Sequence, residues 1–204
     1  MERKATDIFS EWAEIGKDAG METNHARAVD KMLFHLVNSR TSPFSFIDAG
    51  CGNGWVVRKI RKHDLCENAI GVDGAVEMIR KAKKIDEHGD YFHSDLMEWI
   101  PDQKVDFVHS MEVIYYFKQP EKLIFHIIKN WLRSGGVIIM GMDYYDENLK
   151  CHSWPTDLNT CMKLLSKNAW VDLFNDCGLT KVNAFQTNAS YDFPGTLVLT
   201  GIKR

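Results

Sequence analysis

The sequence predicts an α/β fold, a mostly parallel sheet with crossover helices on both faces and one antiparallel strand at its end. Past residue 42, strand-length apolar runs alternate with stretches of helical apolar spacing, the pattern of parallel strands joined by crossover helices. The first run, Phe44-Ser45-Phe46-Ile47-Asp48, passes directly into Gly50-Cys51-Gly52-Asn53-Gly54. Glycine tolerates positive φ and has no Cβ, so such a turn suits a backbone pressed against a ligand. The last two runs, 181–186 and 196–202, are joined by only Thr187 to Gly195, too short for a crossover helix. They should pair antiparallel.

The elements follow in order. Ile8, Phe9, Trp12 and Ile15 suggest a short amphipathic helix that Gly16-Lys17-Asp18-Ala19-Gly20 interrupts. Residues 21–36 form a second helix with Ala28, Met32, Leu33 and Leu36 along one stripe. Seven strands are expected at 45–49, 69–72, 91–93, 106–110, 137–142, 181–186 and 196–202. Pro120 favours the first turn of a helix whose stripe is Leu123, Ile124, Ile127, Ile128 and Trp131, with Gly135-Gly136 expected to end it. Trp170, Leu173, Phe174 and Cys177 mark another helix, closed by Gly178. With no repeat or linker in view, residues 1–204 are expected to form a single domain, 1–41 leading into a core of 42–204.

Composition narrows the partners. The 204 residues carry a net charge of −3 with acids and bases interspersed, without the concentrated basic patch of a nucleic-acid surface. Cys51, Cys66, Cys151, Cys161 and Cys177 contain no C-x-x-C pair, which suits a reduced chain better than a disulfide framework or a zinc site. The histidines show no metal-ligand spacing, and no metal is expected. Met1-Glu2-Arg3-Lys4 opens no apolar signal segment, and no run approaches the length of a membrane span. The expectation is a cytoplasmic protein without a membrane partner.

Spacing then points to a ligand. The third glycine of the turn comes one residue earlier than in the G-x-G-x-x-G of dinucleotide folds. Ala69-Ile70-Gly71-Val72-Asp73 ends in a carboxylate about 20 residues beyond the turn, where an acid can accept from ribose hydroxyls. A strand-end aspartate alone is more often a cap; paired with the glycine turn it specifies a nucleoside-containing ligand across the first two strands.

The glycine turn, Asp73, His93-Ser94-Asp95-Leu96, Val105-Asp106-Phe107-Val108 and Trp131-Leu132-Arg133-Ser134-Gly135-Gly136 together resemble class I S-adenosylmethionine-dependent methyltransferases. The small-molecule group that includes the quinone-biosynthesis enzymes is the nearest in flavour. The likeness covers residues 44–142, with weaker support from Asp176-Cys177-Gly178-Leu179 and the terminal hairpin. It implies a Rossmann-like seven-stranded sheet with a reversed last strand, S-adenosylmethionine as cofactor and S-adenosylhomocysteine as product. Asp48 would face the methionine ammonium, and the turn Gly50-Cys51-Gly52 with Gly54 would make room for the amino-acid and ribose portions. Asp73 would hold the ribose diol, with Asp95 and Leu96 meeting the adenine edge and Gly74 and Ala75 flanking its ring. Ser110 and Met111 would lie near the methionine moiety.

On the acceptor side the resemblance implies that residues 1–41 fold over the cofactor as a helical lid. Trp12, Met21, Glu22 and His25 are then pocket candidates, His25 for proton handling because its ordinary pKa lies near neutrality. Small-molecule relatives often carry histidines after the fourth strand, where this chain has Tyr115 and Tyr116. Tyr115 would orient an acceptor or offer a π-face, and Glu112 is the nearest carboxylate for a base. Past the fifth strand, Tyr144, Tyr145 and Trp154 with Asp143 and Asp146 would favour a cationic or aromatic small molecule. Metal-dependent relatives have Asp-Asn where this chain has Asp143-Tyr144, and no Asn/Asp-Pro-Pro-Tyr/Phe motif follows the fourth strand. The function expected is methyl transfer by in-line displacement onto a small-molecule acceptor, by a monomer. The alternatives are a protein or RNA acceptor, or cofactor binding without turnover.

Overall fold

β1 (Phe44–Ala49) lies near the middle of the sheet and sets its two faces. Phe44 and Phe46 point to one side, where they pack with Val29, Met32, Leu33 and Leu36 of α2 (Ala19–Val37) and with Val56, Val57 and Ile60 of α3 (Trp55–Ile60). Ile47 and Ala49 point to the other, against Leu123 and Ile124 of α5 (Pro120–His126) and Trp170 and Phe174 of α7 (Lys167–Asp176). This two-residue alternation in a strand buried on both sides requires helices on both faces. The computed structural model describes residues 2–204, and Met1 lies outside them.

The other strands are β2 (Cys66–Asp73), β3 (Asp90–His93), β4 (Val105–Met111), β5 (Leu132–Met142), β6 (Thr180–Thr187) and β7 (Thr196–Ile202). Their order across the sheet is β3-β2-β1-β4-β5-β7-β6. The pairs β1·β2, β1·β4, β2·β3 and β4·β5 are parallel, and β7 runs antiparallel to both β5 and β6. The seven expected strands and the reversed last strand are therefore present. The chain leaves β1 in one direction for β2 and β3 and returns on its other side for β4 and β5, so the topological switch point lies between β1 and β4. Ligands of open α/β sheets bind outside the carboxyl ends of the strands there.

Two details differ from expectation. Gly135-Gly136 do not end the helix: α5 passes into a wider π-helical turn over Ile127–Trp131, and β5 begins at Leu132. Gly135 takes φ +74° within the strand, where β5 slips in register against β4 between Val105 and Phe107. Ile15, expected on the apolar face of α1 (Ala5–Glu14), is 66% exposed just past its end. α1 packs instead on α4 (Val76–Ile85), with Ala13 against Ala75 and Met78 and with Phe9, Trp12 and Met21 around them. Among the described residues no helix is long and apolar enough to cross a membrane.

Candidate active site

The carboxyl ends of β1, β2, β4 and β5 open on a cavity of about 510 Å³. The strands and their turns contribute Asp48, Gly50, Cys51, Gly52, Asp73, Met111, Glu112, Val113 and Asp143 to its lining. The N-terminal segment contributes Phe9, Trp12, Lys17, Met21, Asn24 and His25, and α6 (Trp154–Leu158) contributes Trp154, Asp157 and Leu158. Tyr115, Tyr116 and Trp55 complete the aromatic part of the wall.

The glycine turn is bound to β2 through its backbone. Gly50 and Cys51 N–H both donate to the Val72 carbonyl, at 2.8 and 3.1 Å. Gly50 has φ +77°, and a Cβ there would lie 2.2 Å from Cγ2 of Val113, so only glycine fits. Asp73 accepts from Gly52 N at 2.8 Å and from Ala75 N at 2.7 Å, one bond to each carboxylate oxygen. Burial pushes its carboxyl pKa up, while the two amide bonds hold it down. Cys51 is buried, and burial, reinforced by the nearby Asp73 and Asp48 carboxylates, pushes its thiol well up. Such a thiol stays protonated and unreactive.

Asp48 is held from behind. Parallel register sets Asp48 of β1 opposite His109 of β4, and Oδ1 meets His109 Nδ1 at 2.7 Å. His109 is fully buried and stacks on Phe46 with ring centroids 5.9 Å apart; its Nε2 has no hydrogen-bond partner. No sequence pattern gave His109 a part in the site.

Glu112 sits at the bend after β4 with φ +59°, a conformation that L-residues with side chains adopt at a cost. The bend turns its carboxylate inward, where Oε1 accepts from Asp143 N at 2.5 Å and Oε2 accepts from Tyr115 O–H at 2.7 Å. Burial first, then the Asp143 charge, push the Glu112 carboxyl well above the ordinary range. Burial also raises Asp143, against a hydrogen bond from Thr196 and the pull of His25. Asp143 Oδ1 is buried without a hydrogen-bond partner. Burial lowers the His25 pKa, and the Asp143 charge opposes it.

An aromatic run backs this acidic cluster. Tyr115 lies with its ring centroid 4.6 Å from Tyr116 and 5.1 Å from Tyr144, and Tyr144 stacks on Trp154 at 6.1 Å. Phe9 meets Tyr116 and Trp12 edge-on at 5.5 and 5.2 Å. The Lys17 ammonium stands 4.0 Å from the Trp12 ring centroid. The N-terminal segment is fastened to the glycine turn by buried Asp18, which accepts from Asn53 Nδ2 at 2.9 Å and from Lys81 Nζ at 2.6 Å. No sequence pattern singled out Asp18.

The structure thus gathers Asp48, Gly50, Cys51, Gly52, Asp73, Met111, Glu112, Tyr115, Tyr116, Trp12, Met21, His25 and Trp154 around one cavity. Others fall outside its lining. Gly54 has φ +80° at the start of α3, and its missing Cβ makes way for Tyr91, whose Cε1 would lie 2.4 Å from it. Ser110 points to the opposite face of β4, as alternation from His109 requires, and its hydroxyl donates to the Ala49 carbonyl at 2.8 Å. Tyr145 is fully buried, its O–H donating to the Gly195 carbonyl at 2.8 Å and accepting from Gln186 Nε2 at 2.9 Å. It is a structural plug, and Tyr144 is a buried second layer behind Trp154 and Tyr115. Gly74 and Ala75 lie under α1: a Cβ on Gly74 would sit 2.7 Å from the Thr6 methyl, and Ala75 is buried. Asp95 is exposed and caps its own turn through Met97 N at 2.8 Å, while Leu96 is buried in the core. Among the described residues no group of three or more His, Cys, Asp or Glu is placed to hold a metal ion.

Comparison with known proteins places this architecture. A family model described as a methyltransferase domain matches residues 7–184. A trans-aconitate 2-methyltransferase of Acidovorax sp. is 23% identical over 171 residues, 84% of this chain and 62% of the relative. The chain spans 40% of the length of a second such enzyme, from Azoarcus sp.. Among solved structures, a putative methyltransferase of Haloferax volcanii, in complex with a methyltransferase activator, superposes with a TM-score of 0.81 at 24% identity, over 100% of this chain and 99% of that one. The N-methyltransferase NodS of Bradyrhizobium japonicum, bound to S-adenosylhomocysteine, gives 0.67 at 17% identity, over 86% of this chain and 85% of that one. The glycine turn, the acid closing β2, the reversed last strand and the match over residues 7–184 agree: the chain belongs to the class I S-adenosylmethionine-dependent methyltransferases.

Proposed function

We propose that this protein binds S-adenosylmethionine at the β1–β2 end of the cavity and transfers its methyl group to a small molecule held under the N-terminal helices. The observation that carries this is one cavity lined on one side by Asp48, Gly50, Gly52 and Asp73 and on another by aromatic side chains of α1 and α6. Its volume, about 510 Å³, is in the range of sites that bury a cofactor-sized ligand. Five carboxylates against Lys17 and His25 suit a ligand that carries both a sulfonium and an ammonium.

The cofactor supplies a methyl group already activated on sulfur. What the chain must add is placement and exclusion of water, and alignment in a closed site supplies much of the rate. Asp73, with one bond to each oxygen, keeps lone pairs for ribose hydroxyls. Asp48, its rear oxygen fixed by His109, keeps its other oxygen for the amino group. The adenine end has a different surface from the one expected, because Thr6 of α1 stands over Gly74. Adenine binding there requires the N-terminal segment to shift, a movement in keeping with a lid.

The relatives' name gives them trans-aconitate as acceptor, a tricarboxylate that the acidic lining here disfavours. A second reading has one specific support: a solved structure that superposes on this chain with a TM-score of 0.81 was determined with a methyltransferase activator. Under it the chain acts with a partner on a larger substrate. Incubation with methyl-tritiated cofactor and cell extract separates the two. Label in low-mass products supports the small-molecule reading, label in protein or RNA the second, and label in neither fraction counts against both.

A further inference from the structure

The methionine end of the cofactor carries a carboxylate on the same carbon as its ammonium, so an anion must be accommodated close to Asp48. The amides of the glycine turn are largely committed. Gly50 and Cys51 N–H donate to the Val72 carbonyl, Gly52 N–H to Asp73 and Gly54 N–H to the Cys51 carbonyl. Beside the Asp48 and Asp73 carboxylates a further negative charge is unfavourable unless a cation stands with it. Among the described residues the basic side chains that line the cavity are Lys17 and His25. Burial holds the His25 pKa down, and the charge it meets is Asp143, just past the end of β5. That leaves Lys17.

Lys17 is exposed in the turn between α1 and α2, its backbone N–H donating to the Trp12 carbonyl at 2.9 Å. Its ammonium rests 4.0 Å from the Trp12 ring centroid. Among the described residues no carboxylate pairs with it, whereas Lys59, Lys81, Lys118 and Lys150 each hold one. A cation kept on an aromatic face rather than on an acid stays available to an incoming anion. Two contacts set this segment over the glycine turn. Asp18, the next residue, accepts from Asn53 Nδ2 at 2.9 Å, and Met21 Cε would stand 3.2 Å from a Cβ on Gly52.

We propose that Lys17 holds the carboxylate of the cofactor's methionine moiety while Asp48 holds the ammonium; this rests on the methyl-transfer reading above. The two charges of the zwitterion then meet opposite charges on different parts of the chain, Asp48 on β1 and Lys17 on the N-terminal segment. Bound cofactor thereby ties that segment to the sheet. A nucleoside without the carboxylate lacks the tie.

The test is calorimetric titration of wild type, Lys17→Gln and Lys17→Arg with two ligands. One is S-adenosylhomocysteine, and the other is its decarboxylated analogue, which keeps the ammonium. Lys17→Gln should bind S-adenosylhomocysteine about fivefold more weakly, the upper end for an exposed ion pair, and the analogue within about twofold of wild type. Lys17→Arg keeps the charge and should retain most of the affinity. Equal losses for both ligands would mark a structural role. Unchanged affinity of Lys17→Gln for S-adenosylhomocysteine would leave the ammonium to another anion, such as a carboxylate on the acceptor. Either result overturns the proposal. Failure of S-adenosylhomocysteine to bind the wild type would instead sink the methyl-transfer reading.

Discussion

Gly50 and Gly135 have nearly the same positive φ, +77° and +74°, in opposite surroundings. A Cβ on Gly50 would stand 2.2 Å from Cγ2 and 3.0 Å from Cγ1 of Val113, whereas nothing lies within 4 Å of one on Gly135. Gly135→Ala therefore carries only the left-handed backbone penalty, about 1–2 kcal/mol. Gly50→Ala carries that and overpacking, about 1–3 kcal/mol more, against a β-branched neighbour with few rotamers. For a chain of this size each kcal/mol moves Tm by about 2–4 °C. Thermal and urea unfolding of both variants should show Gly50→Ala melting lower, and Val113→Ala added to it should recover most of the difference. A double-mutant cycle should give a coupling of about 1–3 kcal/mol. If the two glycine variants are equally destabilised, or Val113→Ala brings no relief, the packing described for the turn is wrong.

Two further outcomes follow from the same geometry. Glu112 has a folded-state pKa above its ordinary value of 4.5, so between those two pKa values the native state binds more protons than the unfolded state and stability falls as pH rises. Glu112→Gln removes that proton uptake, so unfolding measured from pH 4 upward should show its stability relative to wild type improving with pH. A difference that is flat, or that slopes the other way, would remove the buried-carboxyl account. Tyr145→Phe should lower stability by about 1–3 kcal/mol, because the Gly195 carbonyl and the Gln186 amide lose a partner. Its affinity for S-adenosylhomocysteine should match wild type in calorimetry; a tenfold loss would return Tyr145 to the ligand site.

Much of the fold was legible because strand patterns are local. Apolar runs located all seven strands, and the short connection from Thr187 to Gly195 revealed the reversed one. The start of β5 was misread because a glycine near the end of a helical stripe resembles a helix cap. Gly135 uses its positive φ inside a strand instead, where the β4 register slips. In the site, the glycine turn and Asp73 could be read from spacing. Asp48–His109 could not, because it depends on which residues the β1–β4 register sets opposite each other. One signal was available: two-residue alternation puts His109 on the face of Phe107 and Met111 and sends Ser110 to the other. Loop aromatics carry no such period, so Tyr145 as a plug and Trp154 as cavity wall read alike. Asp18 hid in a glycine-flanked break, because its partners Asn53 and Lys81 are 35 and 63 residues away.

The claim on which the functional account rests is that a nucleoside sugar sits on Asp73 at the end of β2. Calorimetric titration of the wild type and of Asp73→Asn with S-adenosylhomocysteine tests it most directly, since asparagine keeps the shape and one acceptor for the Gly52 and Ala75 amides. The account predicts saturable one-to-one binding by the wild type, weakened by about 1–3 kcal/mol in the variant. Absence of binding by the wild type, or equal affinity in the two proteins, would contradict it.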